Sequence, residues 1–129
     1  MARLTPAQEA FLKEGHLATV ATVRPDGSPH LTPVWVDSDG ERVVFNTAEG
    51  RAKPRYIRRN AVVGVQVVDT NDPYRWISVT GPAEIVEDGA REHINELSHR
   101  YTGHDFSFSD GEKRLIVRIE PERVDARGV

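Results

Sequence analysis

Along most of the chain, apolar residues come in short β-branched blocks separated by turn residues, a pattern that predicts strands. Residues 17–23 (Leu-Ala-Thr-Val-Ala-Thr-Val) form the first block. Arg24-Pro25-Asp26-Gly27-Ser28 then reads as a tight turn, residues 30–36 as a second strand, Asp37-Ser38-Asp39-Gly40 as another turn and residues 42–47 as a third strand. Residues 61–68 are the most apolar block and the expected central strand, followed by a loop at 69–73. Residues 75–87 read as a long strand, bent or bulged at Gly81-Pro82. Residues 114–120 read as the last strand, with Val124 extending it after Pro121.

Helical spacing is confined to three places. Thr5-Pro6-Ala7-Gln8 starts a helix, with Thr5 as cap, Pro6 at the first helical position and Gln8 completing a capping box. Ala7, Ala10 and Phe11 share its apolar face, and Gly15 ends it. Residues 50–60 predict a short helix weakened by Pro54. Asp88 is placed to cap a helix whose buried face is Ala90, Ile94, Leu97 and Tyr101, with Gly103 as its stop. Residues 104–111 read as a polar loop carrying two Phe residues. Six strands in runs, joined by short turns, predict a mainly β, antiparallel α+β sheet or closed barrel, and exclude a doubly wound parallel sheet.

At 129 residues the chain is expected to form one domain, residues 1–129. It has no cysteine, which excludes disulfides, thiolate metal sites and a cysteine nucleophile. The net charge of −3 argues against a protein that coats nucleic acid. No apolar run approaches the ~20 residues of a membrane span, and the first residues lack the apolar core of a secretory leader, so a cytoplasmic protein is expected.

Most catalytic signatures are missing: there is no G-x-G-x-x-G, Walker A loop, G-x-S-x-G or H-E-x-x-H. Glu96-Leu97-Ser98-His99 is half of a di-iron motif without its second half, so no metal site is expected. No serine is marked as a nucleophile. One segment stands out. Between Arg51 and Arg59, five of nine residues are cationic and none is acidic, within an acidic chain. It follows the strand end Asn46-Thr47 and a turn at Gly50, and begins a helix. Backbone N–H groups at a helix start, with Arg and Lys beside them, make a cradle for phosphate. The competing reading is a solvated basic helix. Trp35 and the Tyr74-Arg75-Trp76 cluster are candidates to pack on a flat ring, or to serve in a core or dimer interface.

The blocks 17–23, Pro25-Asp26-Gly27-Ser28-Pro29-His30, Thr32-Pro33-Val34-Trp35, Val44-Phe45-Asn46-Thr47-Ala48, Gly50-Arg51-Ala52-Lys53-Pro54-Arg55, Asn71-Asp72-Pro73-Tyr74-Arg75-Trp76, Val79-Thr80-Gly81 and Arg100-Tyr101-Thr102-Gly103 are familiar in this order and spacing. Together the chain resembles the pyridoxamine 5′-phosphate oxidase-like superfamily of flavin and deazaflavin oxidoreductases. More narrowly, it resembles the actinobacterial branch that uses the deazaflavin coenzyme F420. The resemblance spans about residues 5–125 and implies a six-stranded antiparallel split β-barrel of the FMN-binding type, with short flanking helices. It implies a homodimer with two cofactors in grooves at its interface.

Carried onto this chain, the resemblance places cofactor phosphate at Asn46, Thr47, Arg51, Ala52 and Lys53, with Arg55 beside them. It places the ring along Thr32, Pro33 and Val34, and the partner subunit's approach near Trp76. Flavin-using pyridoxamine phosphate oxidases carry an Arg and a Lys on strand two, where this chain has Leu31 and Val36, a departure that favours F420 over FMN. The implied activity is hydride transfer between reduced F420 and an unsaturated or conjugated organic substrate. The protein needs no acid or base of its own for this: water could supply a proton, as could Tyr74 or Tyr101, and nothing in the sequence selects either tyrosine. The alternatives are an FMN-dependent oxidase or reductase on the same fold, and a non-enzymatic F420- or flavin-binding protein.

Overall fold

The computed structural model describes residues 2–129. Thr5 caps α1 (Pro6–Leu12) as expected: its side chain accepts from the Gln8 amide, and the Gln8 side chain accepts from the Thr5 amide. Phe11 and Leu12 on α1 are fully buried. Gly15, at φ +88°, then turns the chain toward the sheet.

The expected strands are present, but there are eight rather than six: β1 (Ala18–Val23), β2 (Pro29–Val34), β3 (Val36–Ser38), β4 (Val43–Ala48), β5 (Val62–Asp69), β6 (Asp72–Val86), β7 (Arg114–Ile119) and β8 (Arg123–Arg127). Every pairing is antiparallel. The order is β2-β1-β5-β6-β7-β4-β3, with β8 on β6. The single strand expected at 30–36 divides at Trp35. The part before it pairs with β1 and the part after it with β4. The two ends of the path are therefore consecutive in sequence, and among the described residues no hydrogen-bonded pair closes the sheet. The last segment is not an extension of β7 either, since Pro121 lets β8 leave and pair with β6. β6 starts earlier than expected and takes in Asp72 and Pro73.

No bulge occurs at Gly81-Pro82: the β5–β6 register runs unbroken from Val68↔Trp76 to Val62↔Pro82, and its shift lies at Val68/Asp69. Gly81 instead marks the point where the neighbour on β6's other edge changes from β8, which pairs through Thr80, to β7, which pairs from Ala83.

Two further helices cover the sheet. α2 (Ala52–Arg59) tolerates Pro54 because that residue lies in the first turn, where its missing N–H has no intrahelical partner to lose. α3 (Ala90–Thr102) is capped not by Asp88 but by Gly89 at φ +79°, with no side-chain cap bond, and it ends at Gly103 at φ +78°. Ala90, Ile94 and Leu97 are buried as the spacing predicts. The main core runs from α1 through Val20, Phe45, Val63, Val67, Ile77 and Val117. A smaller cluster of Val44, Ala90 and Ile116 forms where α3 lies over β4 and β7. β4 is thus buried at every position, and this fixes the polar residues at its end. Among the described residues no helix is long and apolar enough to cross a membrane.

Candidate functional site

Strand alternation puts Val44, Asn46 and Ala48 on the face of β4 that α3 covers. The β4–β7 register sets Asn46 opposite Ile116 and Ala48 opposite Arg114. Arg114 is therefore the diagonal neighbour of Asn46 on one face, within reach of a long side chain. Its Nε donates to Asn46 Oδ1 at 2.9 Å and its Nη1 donates to Glu112 Oε2 at 2.9 Å. With only 5 % exposure, Arg114 is the buried cation of the site. Burial pushes its pKa down, against the pull of Glu112.

A pocket of about 370 Å³ opens beside this pair. Its polar end is Asn46, Thr47, Arg51, Lys53 and Arg114; its apolar wall is Leu17, Pro33, Val34, Trp35, Ile94, Leu97 and Phe106. Gly50, at φ +90°, turns the chain from β4 into α2, whose start no side chain caps. The first amides of α2, Ala52 and Lys53, thus have no intrahelical acceptor. Lys53 Nζ donates to Thr32 Oγ1 at 3.0 Å and so links α2 to β2. Burial lowers the Lys53 pKa, and the cations Arg51 and Arg114 lower it further. Burial opposes ionisation of Glu112, but bonds from the Ser109 amide and Arg114 keep its carboxyl below the usual range. Three cations thus face one carboxylate. Thr47 Oγ1 is buried without a hydrogen-bond partner among the described residues. Excess positive charge, an uncapped helix start and an orphaned hydroxyl all suit an anionic group.

Of the residues singled out in the sequence, Pro33, Val34, Asn46, Thr47, Arg51 and Lys53 line the pocket. Thr32 meets it through Lys53, and Ala52 through its position in the first turn of α2. Arg55 does not line it; its guanidinium lies 5.5 Å from the Tyr56 ring. Arg58 is held by Glu49 and Arg59 by the Pro25 carbonyl, so only the first part of the basic segment faces the pocket. Trp76 is half-buried on β6 opposite Val68 and Arg127, away from this lining. Trp35 stacks on Tyr101 with ring centroids 5.5 Å apart. Neither phenol lines the pocket. Tyr101 donates to the His16 carbonyl and accepts from the Val36 amide, and Tyr74 is exposed beside Arg127.

Sequence reasoning missed Arg114 and the apolar residues of α3 and of the 104–113 loop. It also missed Asp37 and His93, which lie behind Asn46. Asp37 is buried and accepts from Lys13 Nζ (2.8 Å), Arg100 Nη1 (3.0 Å), the Ser38 amide (2.8 Å) and His93 Nε2 (3.2 Å). Burial alone would raise its pKa, but these donors together hold the carboxyl far below the usual carboxylate range. A carboxyl depressed in this way adds stability above its unfolded pKa of about 3.9, and that stability is lost as pH falls through the folded value. Asp37→Asn should therefore cost about 2–4 kcal/mol at neutral pH. In urea titrations its deficit against wild type should shrink below about pH 4. A deficit that does not change with pH would contradict this.

Residues 4–128 match the family described as pyridoxamine 5′-phosphate oxidase. Over 124 residues the chain is 30% identical to an F420H(2)-dependent biliverdin reductase of Mycobacterium tuberculosis (strain CDC 1551 / Oshkosh), spanning 95% of this chain and 87% of that protein. A solved F420 reductase superposes with a TM-score of 0.82 at 30% identity, over 95% of this chain and 98% of that one. A conserved hypothetical protein of Mycobacterium tuberculosis superposes with a TM-score of 0.76 at 29% identity, over 96% and 84%.

Proposed function

The chain belongs to the pyridoxamine 5′-phosphate oxidase family, and from that premise we propose that it is an F420H2-dependent oxidoreductase that reduces a conjugated organic substrate. The observation that carries this reading is the pocket of Arg51, Lys53 and Arg114 beside Trp35 and Phe106, in a chain 30% identical to an F420H(2)-dependent biliverdin reductase. When bound, reduced F420 supplies the hydride from its deazaflavin ring. Arg51, Lys53 and the first amides of α2 hold its phosphate, with Arg114 fixed behind them. Pro33, Val34 and Trp35 lie along the ring and, with Ile94, Leu97 and Phe106, keep water from it. Leu31, 61% exposed, and Val36, fully buried, offer no cation to a flavin phosphate, which supports F420 over FMN.

The single domain of residues 1–129 forms a split barrel that works as a homodimer in the cytoplasm, in this reading. Leu17, Leu31, Val62 and Val68 are exposed apolar residues that a second copy would cover, with Trp76 near the approach of that copy. A sedimentation experiment checks this, with a dimer at micromolar concentration as the expected result.

Titration of the purified protein with F420 and with FMN tests the cofactor. The expected result is at least tenfold tighter binding of F420, and oxidation of F420H2 when a conjugated acceptor is added. Biliverdin, named in the curated relative, is the first to try. Copurification with yellow FMN would overturn the reading. Tight F420 binding without oxidation by any acceptor would leave a carrier rather than an enzyme.

A further inference from the structure

Four side chains from four elements form one hydrogen-bonded line into the pocket: Asp37 on β3, His93 on α3, Asn46 on β4 and Arg114 on β7. Arg114 Nε meets Asn46 Oδ1 at 2.9 Å; Asn46 Nδ2 meets the Ala90 carbonyl and His93 Nδ1, each at 3.0 Å; His93 Nε2 meets Asp37 Oδ2 at 3.2 Å. The polarity of the line follows from its ends. A guanidinium only donates, so the Asn46 oxygen must face it. The Asn46 amide nitrogen then donates to both the Ala90 carbonyl and His93, so His93 Nδ1 is an acceptor and its proton sits on Nε2. That proton goes to Asp37, which is ionised and only accepts. No other orientation of the amide or tautomer of the ring satisfies every contact.

We propose that Asp37 and His93 are positioning residues that lock the Asn46 amide, and through it the Arg114 guanidinium, so that Arg114 is presented to the anion in the pocket. A mobile arginine would lose side-chain freedom when the anion arrives; one already held on its Nε and Nη1 edges loses little. The 3.0 Å bond from Asn46 to the first residue of α3 ties the same device to the helix whose Ile94 and Leu97 line the pocket. This inference rests on reading the pocket as the anion site of the cofactor.

The test begins without any ligand, on ¹⁵N-labelled full-length protein. The His93 ring is expected as the neutral Nε2–H tautomer, and Arg114 Nε–H as a separate, slowly exchanging signal. His93→Asn keeps an acceptor close to the position of Nδ1 and should retain the Arg114 signal; His93→Leu should lose it. F420 titrations follow. His93→Asn is expected within about threefold of wild type and His93→Leu at least about tenfold weaker. In an Arg114→Met background, His93→Leu should have no further effect on affinity. If His93→Leu does not fold, His93→Gln, whose carboxamide reaches toward Asp37 instead of Asn46, takes its place with the same expected losses.

A ring protonated on Nδ1, equal effects of the Asn and Leu substitutions, or additive effects of His93 and Arg114 would each overturn the proposal. A wild-type protein that shows the expected tautomer and Arg114 signal but does not bind F420 would reject the cofactor reading and leave the positioning line intact.

Discussion

Replacing Arg51 and Lys53 together by alanine should weaken F420 binding by at least about a hundredfold, since a hydrogen bond to a charged group is worth roughly 1.5–3 kcal/mol. Each single substitution should cost about ten- to a hundredfold, Lys53 more than Arg51 because Lys53 is the more buried of the two. The loss should sit mainly in the dissociation rate, and wild-type affinity should fall as salt rises while that of the double variant changes little. The effect on the free protein has the opposite sign. Burial and the neighbouring cations Arg51 and Arg114 lower the pKa of Lys53, so the charges repel one another before any anion arrives. Arg51→Ala removes one of them together with its attraction to Glu112, and should leave thermal stability unchanged or slightly raised. A clear loss of stability in Arg51→Ala, or unchanged affinity in the double variant, would remove these residues from the site.

What could be read in the sequence divides by how local its cause is. The Thr5 capping box and the stop at Gly103 involve residues within a few positions of one another, and the structure has them, whereas α1 ends before Gly15, at Leu12 with Lys13 as its cap. The grouping of Asn46, Thr47, Arg51 and Lys53 around one pocket was legible for the same reason, since they lie within eight positions. Features set by distant pairings were not. Within residues 30–36 only Pro33 marks a break, and it does not show that the chain changes partner at Trp35. The cap of α3 was misplaced by one residue because Asp88 is the better capping side chain, whereas the chain uses the positive φ of Gly89. Arg114 sits between Lys113 and Leu115 and reads as an exposed charge. Its burial comes only from its register against Ala48, 66 positions away, and from the helix above. Nothing local marks His93 for the same reason, until Asp37 and Asn46 are brought to it from other strands.

Gly81→Ala should destabilise the protein by about 3–5 kcal/mol, the largest loss expected from any single methyl group in this fold. A Cβ at Gly81 would overlap the carbonyl oxygen of Glu120 and lie 3.2 Å from the Glu122 amide nitrogen. These are backbone atoms of the link between β7 and β8, and they cannot simply rotate away. Hydrogen bonds from the Glu120 amide to the Pro82 carbonyl (2.9 Å) and from the Glu122 amide to the Thr80 carbonyl (3.0 Å) pin the link on both sides of the glycine. Relief of the overlap therefore breaks at least one of them or parts β6 from β7. In thermal unfolding this amounts to a fall of roughly 10–20 °C. Gly64→Ala is the matched control. The same methyl group there meets Thr80 Oγ1 at 3.7 Å and Ala21 Cβ at 3.9 Å, ordinary contact distances, and should change stability by less than about 1 kcal/mol. The damage at Gly81 should also reach the pocket. β7 runs from Arg114 to the displaced link, and its register on β4 is what sets Arg114 beside Asn46. Folded Gly81→Ala protein, measured below its unfolding temperature, should bind F420 more weakly than wild type, while Gly64→Ala should bind it equally well. Unimpaired binding in Gly81→Ala would mean that the β4–β7 register holds without the link, and that Arg114 is placed by α3 alone.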